Sequence, residues 1–219
     1  KITAILLLLT GLIISCTGSY EELNENPNLI TEISPGTLIN PIIYGVASQN
    51  ASQSVDVTFN LMQVSLPFPS ITGGLHRYDV SNNIGNSAWN NYYKWLNNIR
   101  EMRMASVKAG DGNYEAVALT LNALVYANLT DLFGPVPMTE AVRGEDGILY
   151  PKYDKQEFIY ETILADLERA NSLYDTTKAM IYTEDILFQN NVLKWKKFTN
   201  SLKMRLLLRV SNRAETGAF

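Results

Sequence analysis

The sequence predicts an all-α protein in which helical hairpins stack into a solenoid. Three observations carry this. Apolar residues recur at steps of three and four through several long segments. No segment shows the strict alternation of a half-buried strand with comparable strength. Glycine and proline fall between the periodic segments, where helices of similar length must stop and turn.

The elements follow in chain order. Residues 1–15 hold Lys1, the run Ile5-Leu6-Leu7-Leu8-Leu9 and then Gly11-Leu12-Ile13-Ile14-Ser15. A positive end, a short apolar core and a small residue before a processing point describe a signal peptide. The run is too short to span a bilayer, which takes about 20 apolar residues. Cys16, the only cysteine among 219 residues, has no partner for an internal disulfide. Its position after aliphatics and Ser15 matches the bacterial lipobox, in which the thiol of the first mature residue receives lipid. Residues 16–33, with Glu21, Glu22, Glu25 and the turn Asn26-Pro27-Asn28, are expected to form an extended polar tether. The remainder, 34–219, is expected to be one helical domain, and its end just past an amphipathic helix suggests a fragment of a longer reading frame.

Ser34-Pro35 suits a helix start, with Leu38, Ile42, Ile43 and Val46 on one face. Phe59, Leu61, Met62 and Val64 suggest a second helix after a polar break. Residues 66–87 read as a long irregular loop, a kind that is often functional. Helical periodicity then resumes with Trp89, Tyr92, Tyr93, Leu96 and Ile99, broken by Gly110-Asp111-Gly112. The next helix, from about Tyr114 to Leu132, closes at Gly134-Pro135 in the expected order. After a loop rich in glycine and acid, 135–152, a helix opened by Asp154 carries Phe158, Ile159, Ile163, Leu164 and Leu167. The last helix places Trp195, Phe198, Leu202, Leu206 and Val210 on its buried face. The pairs 88–108 with 113–132 and 155–174 with 193–212 have the lengths of tetratricopeptide-like hairpins, although the 34-residue signature is degenerate.

Composition narrows the function classes. A net charge of −4 argues against nucleic acid as a partner. Zinc-ligand spacings, phosphate loops and the G-x-S-x-G nucleophile motif are all missing, and His76 is the sole histidine, so neither metal nor cofactor is expected. Carboxylates cluster in the 140–154 loop, where Glu140 and Asp154 keep a glycosidase-type hydrolase open as a competing reading. The better ligand candidates are Phe68, His76, Tyr78, Asn82, Asn83 and Trp89. Aromatic faces stack on the C–H side of a sugar, and asparagine amides satisfy its hydroxyls. The same residues also suit a polar, turn-rich loop with no ligand.

Several stretches together resemble the SusD/RagB-like outer-membrane lipoproteins of Bacteroidetes. They are Cys16 with "YEELNENPN", "HRYDVSNNIGNSAWNNYYKWLNNI", "LTDLFGPVPMTEA" with "YPKYDKQEFIYETILADLERA", and "DILFQNNVLKWKKFTNSLKMRLLLRVSN". The resemblance implies a non-enzymatic nutrient-binding protein with a tetratricopeptide-like scaffold, about twice this length. It implies a lipid anchor through Cys16 in the outer membrane, facing the cell surface. It also implies a SusC-like TonB-dependent transporter as partner, with an oligosaccharide or a peptide as ligand. Acids stand at Glu21 and Glu22 and not directly after Cys16, a departure that leaves the periplasmic face open as the alternative.

Overall fold

The computed structural model describes residues 33–69, 71–182 and 184–212. Cys16, the signal peptide and the tether lie outside the described residues. Among the described residues, five α-helices of more than three residues form the body: α1 (Ile39–Ser52), α2 (Asn86–Ala109), α3 (Gly112–Phe133), α4 (Gln156–Leu173) and α5 (Val192–Val210). Among the described residues there is no named strand, only the isolated antiparallel bridge between Val136 and Asp154.

The helices stack in sequence: α1 on α2, α2 on α3, α3 on α4, α4 on α5, with α5 also reaching α3. That places α3 in the middle of the array. It is long and apolar enough to cross a membrane by length and composition, but two-thirds of its most apolar stretch is buried. An all-round apolar helix in the centre of a bundle is the expected outcome of having neighbours on several sides. Four alanines at positions 116, 118, 123 and 127 are fully or almost fully buried and let those neighbours approach closely.

The turn between α2 and α3 follows from two residues. Gly110 ends α2 in the left-handed region at φ 67°, where a side chain is disfavoured. Asp111 then caps α3, its carboxylate accepting from the backbone N–H of Asn113 at 3.1 Å and of Tyr114 at 3.2 Å. Gly134, at φ 74°, closes the other end of α3.

Two expectations at the N-terminal side need correction. Ser34 and Pro35 do not start the helix. They form a preceding turn, in which Ser34 Oγ and Thr37 Oγ1 lie 2.8 Å apart. The proline inside the first turn of α1 is Pro41, where no N–H is required. Nor is there a polar break before a second helix: α1 runs on as a π-helical segment, Gln53–Thr58, and a last α turn, Phe59–Leu61. Asp154 does not cap α4 either. The residue before that helix is Lys155, and no side chain caps it.

Buried polar groups tie the layers together. Tyr92 donates to Asn50 Oδ1 at 2.6 Å, and Asn128 reaches the same oxygen at 3.2 Å, so one amide joins α1, α2 and α3. Thr120 of α3 and Thr199 of α5 lie 2.8 Å apart, with the Tyr174 hydroxyl 3.2 Å from both. The segment before α5 is organised by Asp185, which is 1% exposed. Its carboxylate accepts from the N–H groups of Leu187, Phe188 and Asn190 and, at 3.0 Å, from the indole N–H of Trp195.

On α5, Trp195, Leu202 and Leu206 are buried as the spacing predicts, whereas Phe198 is only partly buried. Phe198 sits tilted or edge-on against Phe188 and Trp195 at the rim of the core.

Candidate ligand-binding surface

Residues 62–85 connect the first helix to α2 and contain a single 3₁₀ turn, Leu75–Arg77. The turn is built from local geometry. Gly73 and Gly74 take φ of 79° and 92°, and Tyr78 takes φ 61° just after the turn. The Gly74 carbonyl accepts from Arg77 N at 2.9 Å and Asp79 N at 3.2 Å. Gln63 donates to the His76 carbonyl at 2.8 Å and pins the turn to the end of the first helix. Within this loop the sequence-predicted residues separate. Phe68 is 98% exposed and Tyr78 64% exposed, and Asn82 and Asn83 are also on the surface. His76 is buried at 8% exposure and belongs to the packing of the turn.

Trp89 stands apart from those loop residues, on the first turn of α2. It is partly buried and packs edge-on against Phe133 at 5.2 Å, the last residue of α3. It also meets Tyr93 at 4.8 Å and stacks with Tyr153 at 6.2 Å and an interplanar angle of 26°. Phe133 in turn crowds Gly85, where a Cβ would lie 2.6 Å from its ring. Hence Gly85 permits the aromatic cluster to close over the start of α2. Tyr153 continues outward from it at 63% exposure. Phe133 and Tyr153 are not singled out by the sequence, because only the chain reversal at Gly134 brings the end of α3 and Tyr153 to Trp89.

The acids of the 135–154 loop act as braces. Asp154 Oδ2 accepts from the N–H groups of Met138 at 2.9 Å and Thr139 at 2.8 Å, and from the Thr139 hydroxyl at 3.1 Å. Glu140 accepts from Lys152 N at 3.0 Å and faces its ammonium at 3.6 Å. Both carboxylates of the competing hydrolase reading are thus engaged with the backbone of their own loop. Among the described residues no group of three or more His, Cys, Asp or Glu side chains could hold a metal ion. Beneath that loop lies a cleft of about 360 Å³ between α2, α3 and α4.

Residues 27–219 match a family model described as SusD-like, starch-binding and associating with the outer membrane. The chain belongs to the SusD-like family. The match runs through the helical body and starts inside the tether region. Comparison with curated proteins gives no match. Solved SusD-like structures agree on the fold. A SusD homolog from Bacteroides fragilis is 22% identical, with a TM-score of 0.65 over 83% of this chain and 36% of its own. One from Parabacteroides distasonis is 23% identical, with a TM-score of 0.65 over 82% and 36%. A chitin-binding SusD homolog from Flavobacterium johnsoniae is 20% identical, with a TM-score of 0.57 over 81% and 40%. The chain therefore spans 36–40% of the length of these three SusD-like structures.

Proposed function

We propose that this SusD-like chain is part of a cell-surface nutrient-binding lipoprotein that captures glycan and passes it, without altering it, to a SusC-type TonB-dependent transporter. The observation that carries this reading is the match of residues 27–219 to a family described as starch-binding and associating with the outer membrane. The chitin-binding homolog shares the fold and supports glycan as the ligand class. In this reading lipid on Cys16 anchors the protein to the outer membrane, and the protein acts as the lid of the transporter.

Glycan contacts fall to Phe68 and Tyr78, with amides from Asn82 and Asn83 and the Trp89–Tyr153 aromatic group as a second stacking surface. Their supporting feature is large exposed aromatic area beside side-chain amides. His76 contributes by holding the turn that presents Tyr78.

Two measurements test the reading. Metabolic labelling with a clickable fatty acid should tag the wild type and not Cys16→Ala, which should also leave the membrane; an unlabelled wild type ends the lipoprotein assignment. Calorimetric titration of soluble oligosaccharides into the full-length protein should show binding without products. Tyr78→Ala should weaken it by about 1 kcal/mol. Peptides binding in place of oligosaccharides would replace glycan with peptide as the cargo.

A further inference from the structure

The cleft beneath the 135–154 loop shares no lining residue with the surface assigned to glycan above. Its volume of about 360 Å³ falls within the usual range for small-molecule sites, about 300–1,000 Å³. Apolar walls come from Leu96 and Ile99 of α2 and Met138 of the loop, and the polar groups converge from three helices.

Charge in the cleft sorts into two sets. Arg143 pairs with Asp146 at 2.8 Å, and Arg100 lies 3.1 Å from Glu101 and 4.0 Å from both Glu145 and Asp146. Those two guanidiniums are answered by acids at the rim. Arg103 and Asp166 answer each other by charge alone, without a close ion pair. Arg103 makes no hydrogen bond or close ion pair among the described residues, and Asp166 receives only one long bond, from Asn122 Nδ2 at 3.4 Å. Tyr126 also lines the cleft and is 3% exposed; its hydroxyl donates to no other described residue and, since no buried polar atom is left unpaired, it opens on the cleft.

An available guanidinium, an available carboxylate, a carboxamide and a phenol form a balanced set of donors and acceptors. Such a set favours a neutral ligand that both donates and accepts over an anion or a cation. We propose that this cleft is a second saccharide subsite, which holds one sugar unit between Arg103 and Asp166 with Asn122 and Tyr126 beside them. It rests on the reading of the protein as a glycan binder. In the unliganded fold Asp166 is held at a cost: burial raises its carboxyl above the ordinary value, and the charges of Arg103 and Arg169 and the Asn122 amide offset this only in part. Sugar hydroxyls would supply the missing donors.

The test uses full-length protein titrated with glucose, N-acetylglucosamine and, as the competing class, alanine, followed by side-chain nitrogen resonances of Asn122 and Arg103. The expected result is that a monosaccharide shifts both signals, and that Asp166→Asn and Arg103→Met each weaken it about tenfold or more. Asp166→Asn should melt higher than the wild type at neutral pH, because the raised carboxyl penalises the charged form there. The gain should vanish as pH falls below 3.8. This shows the variant folded, so lost binding is not lost structure. Sugar binding that survives in Asp166→Asn but falls in Tyr78→Ala overturns the subsite and leaves the glycan reading standing. Alanine shifting the signals in place of both sugars also overturns the subsite. A wild type that binds no saccharide at either place overturns both.

Discussion

Asp185 shows how one residue can organise a segment that has no regular structure. Four donors point at its carboxylate, three from the backbone and one from Trp195. Asn190 completes the loop from the other side, donating to the Met180 and Tyr182 carbonyls at 3.1 Å each and accepting from Asp185 N at 2.9 Å. Buried donors without acceptors are costly, about 1–3 kcal/mol each. Asp185→Ala is therefore expected to destabilise the protein by about 3 kcal/mol or more in urea unfolding, with the m-value unchanged. A loss below about 1 kcal/mol would mean that water replaces the carboxylate, and that the buried geometry does not hold. In the sequence, Asp185 and Asn190 read as ordinary loop residues. Nothing in local pattern distinguishes an aspartate facing solvent from one aimed at Trp195 ten positions later.

At the scale of helices, periodicity revealed each of the four long ones, and their observed ends lie within about three residues of the expected ones. What periodicity missed was continuity. The polar stretch before Phe59 reads as a break, yet a π-helical segment, Gln53–Thr58, carries the chain through it by i→i+5 bonding, and none of its side chains is buried. Helix contacts were also illegible where they depend on the absence of a side chain. At Gly45 in α1 a Cβ would lie 2.0 Å from the Trp95 ring of α2, so these helices approach only because position 45 is glycine. Gly45→Ala gains helix propensity of about 1 kcal/mol but must displace a large ring. The clash should win, with a net loss of about 1–2 kcal/mol and a change in Trp95 fluorescence. An alanine variant as stable as the wild type would show that Trp95 swings out freely.

For the whole molecule, the motifs that carried the family resemblance prove to be tie points between elements. Asp131 of "LTDLFGPVP" accepts from Tyr160 at 2.6 Å and from Arg209 of "KMRLLLR" at 2.9 Å, so the two most specific motifs touch across α3, α4 and α5. Sequence could recognise them without showing why they are needed together. The cleft was invisible for a related reason: Arg103, Asn122, Tyr126 and Asp166 come from three helices and share no spacing. The same distribution governs how the molecule should unfold in alkali. Six tyrosines, at positions 92, 93, 114, 126, 160 and 174, have hydroxyls raised above the ordinary 10.0, with burial the first cause in each. Tyr114 and Tyr174 are pushed up to about 12. A raised folded value means that the fold prefers the neutral phenol. This contribution is complete below pH 10 and is lost as pH rises through about 12. Charging Tyr174 inside the fold costs on the order of 2–3 kcal/mol. The six sit on α2, α3, α4 and the segment after α4, so alkali loads several helix interfaces at once. Helical ellipticity should therefore fall in one cooperative step in alkali above pH 10, and the share of tyrosinate absorbance that comes from these six buried rings should appear in that same step. Tyr126→Phe is the sharpest check, because that hydroxyl has no hydrogen bond to lose. The variant should match the wild type at neutral pH and unfold at higher pH in alkali. A midpoint that does not move would show that Tyr126 stays neutral through the transition and that the fold yields elsewhere.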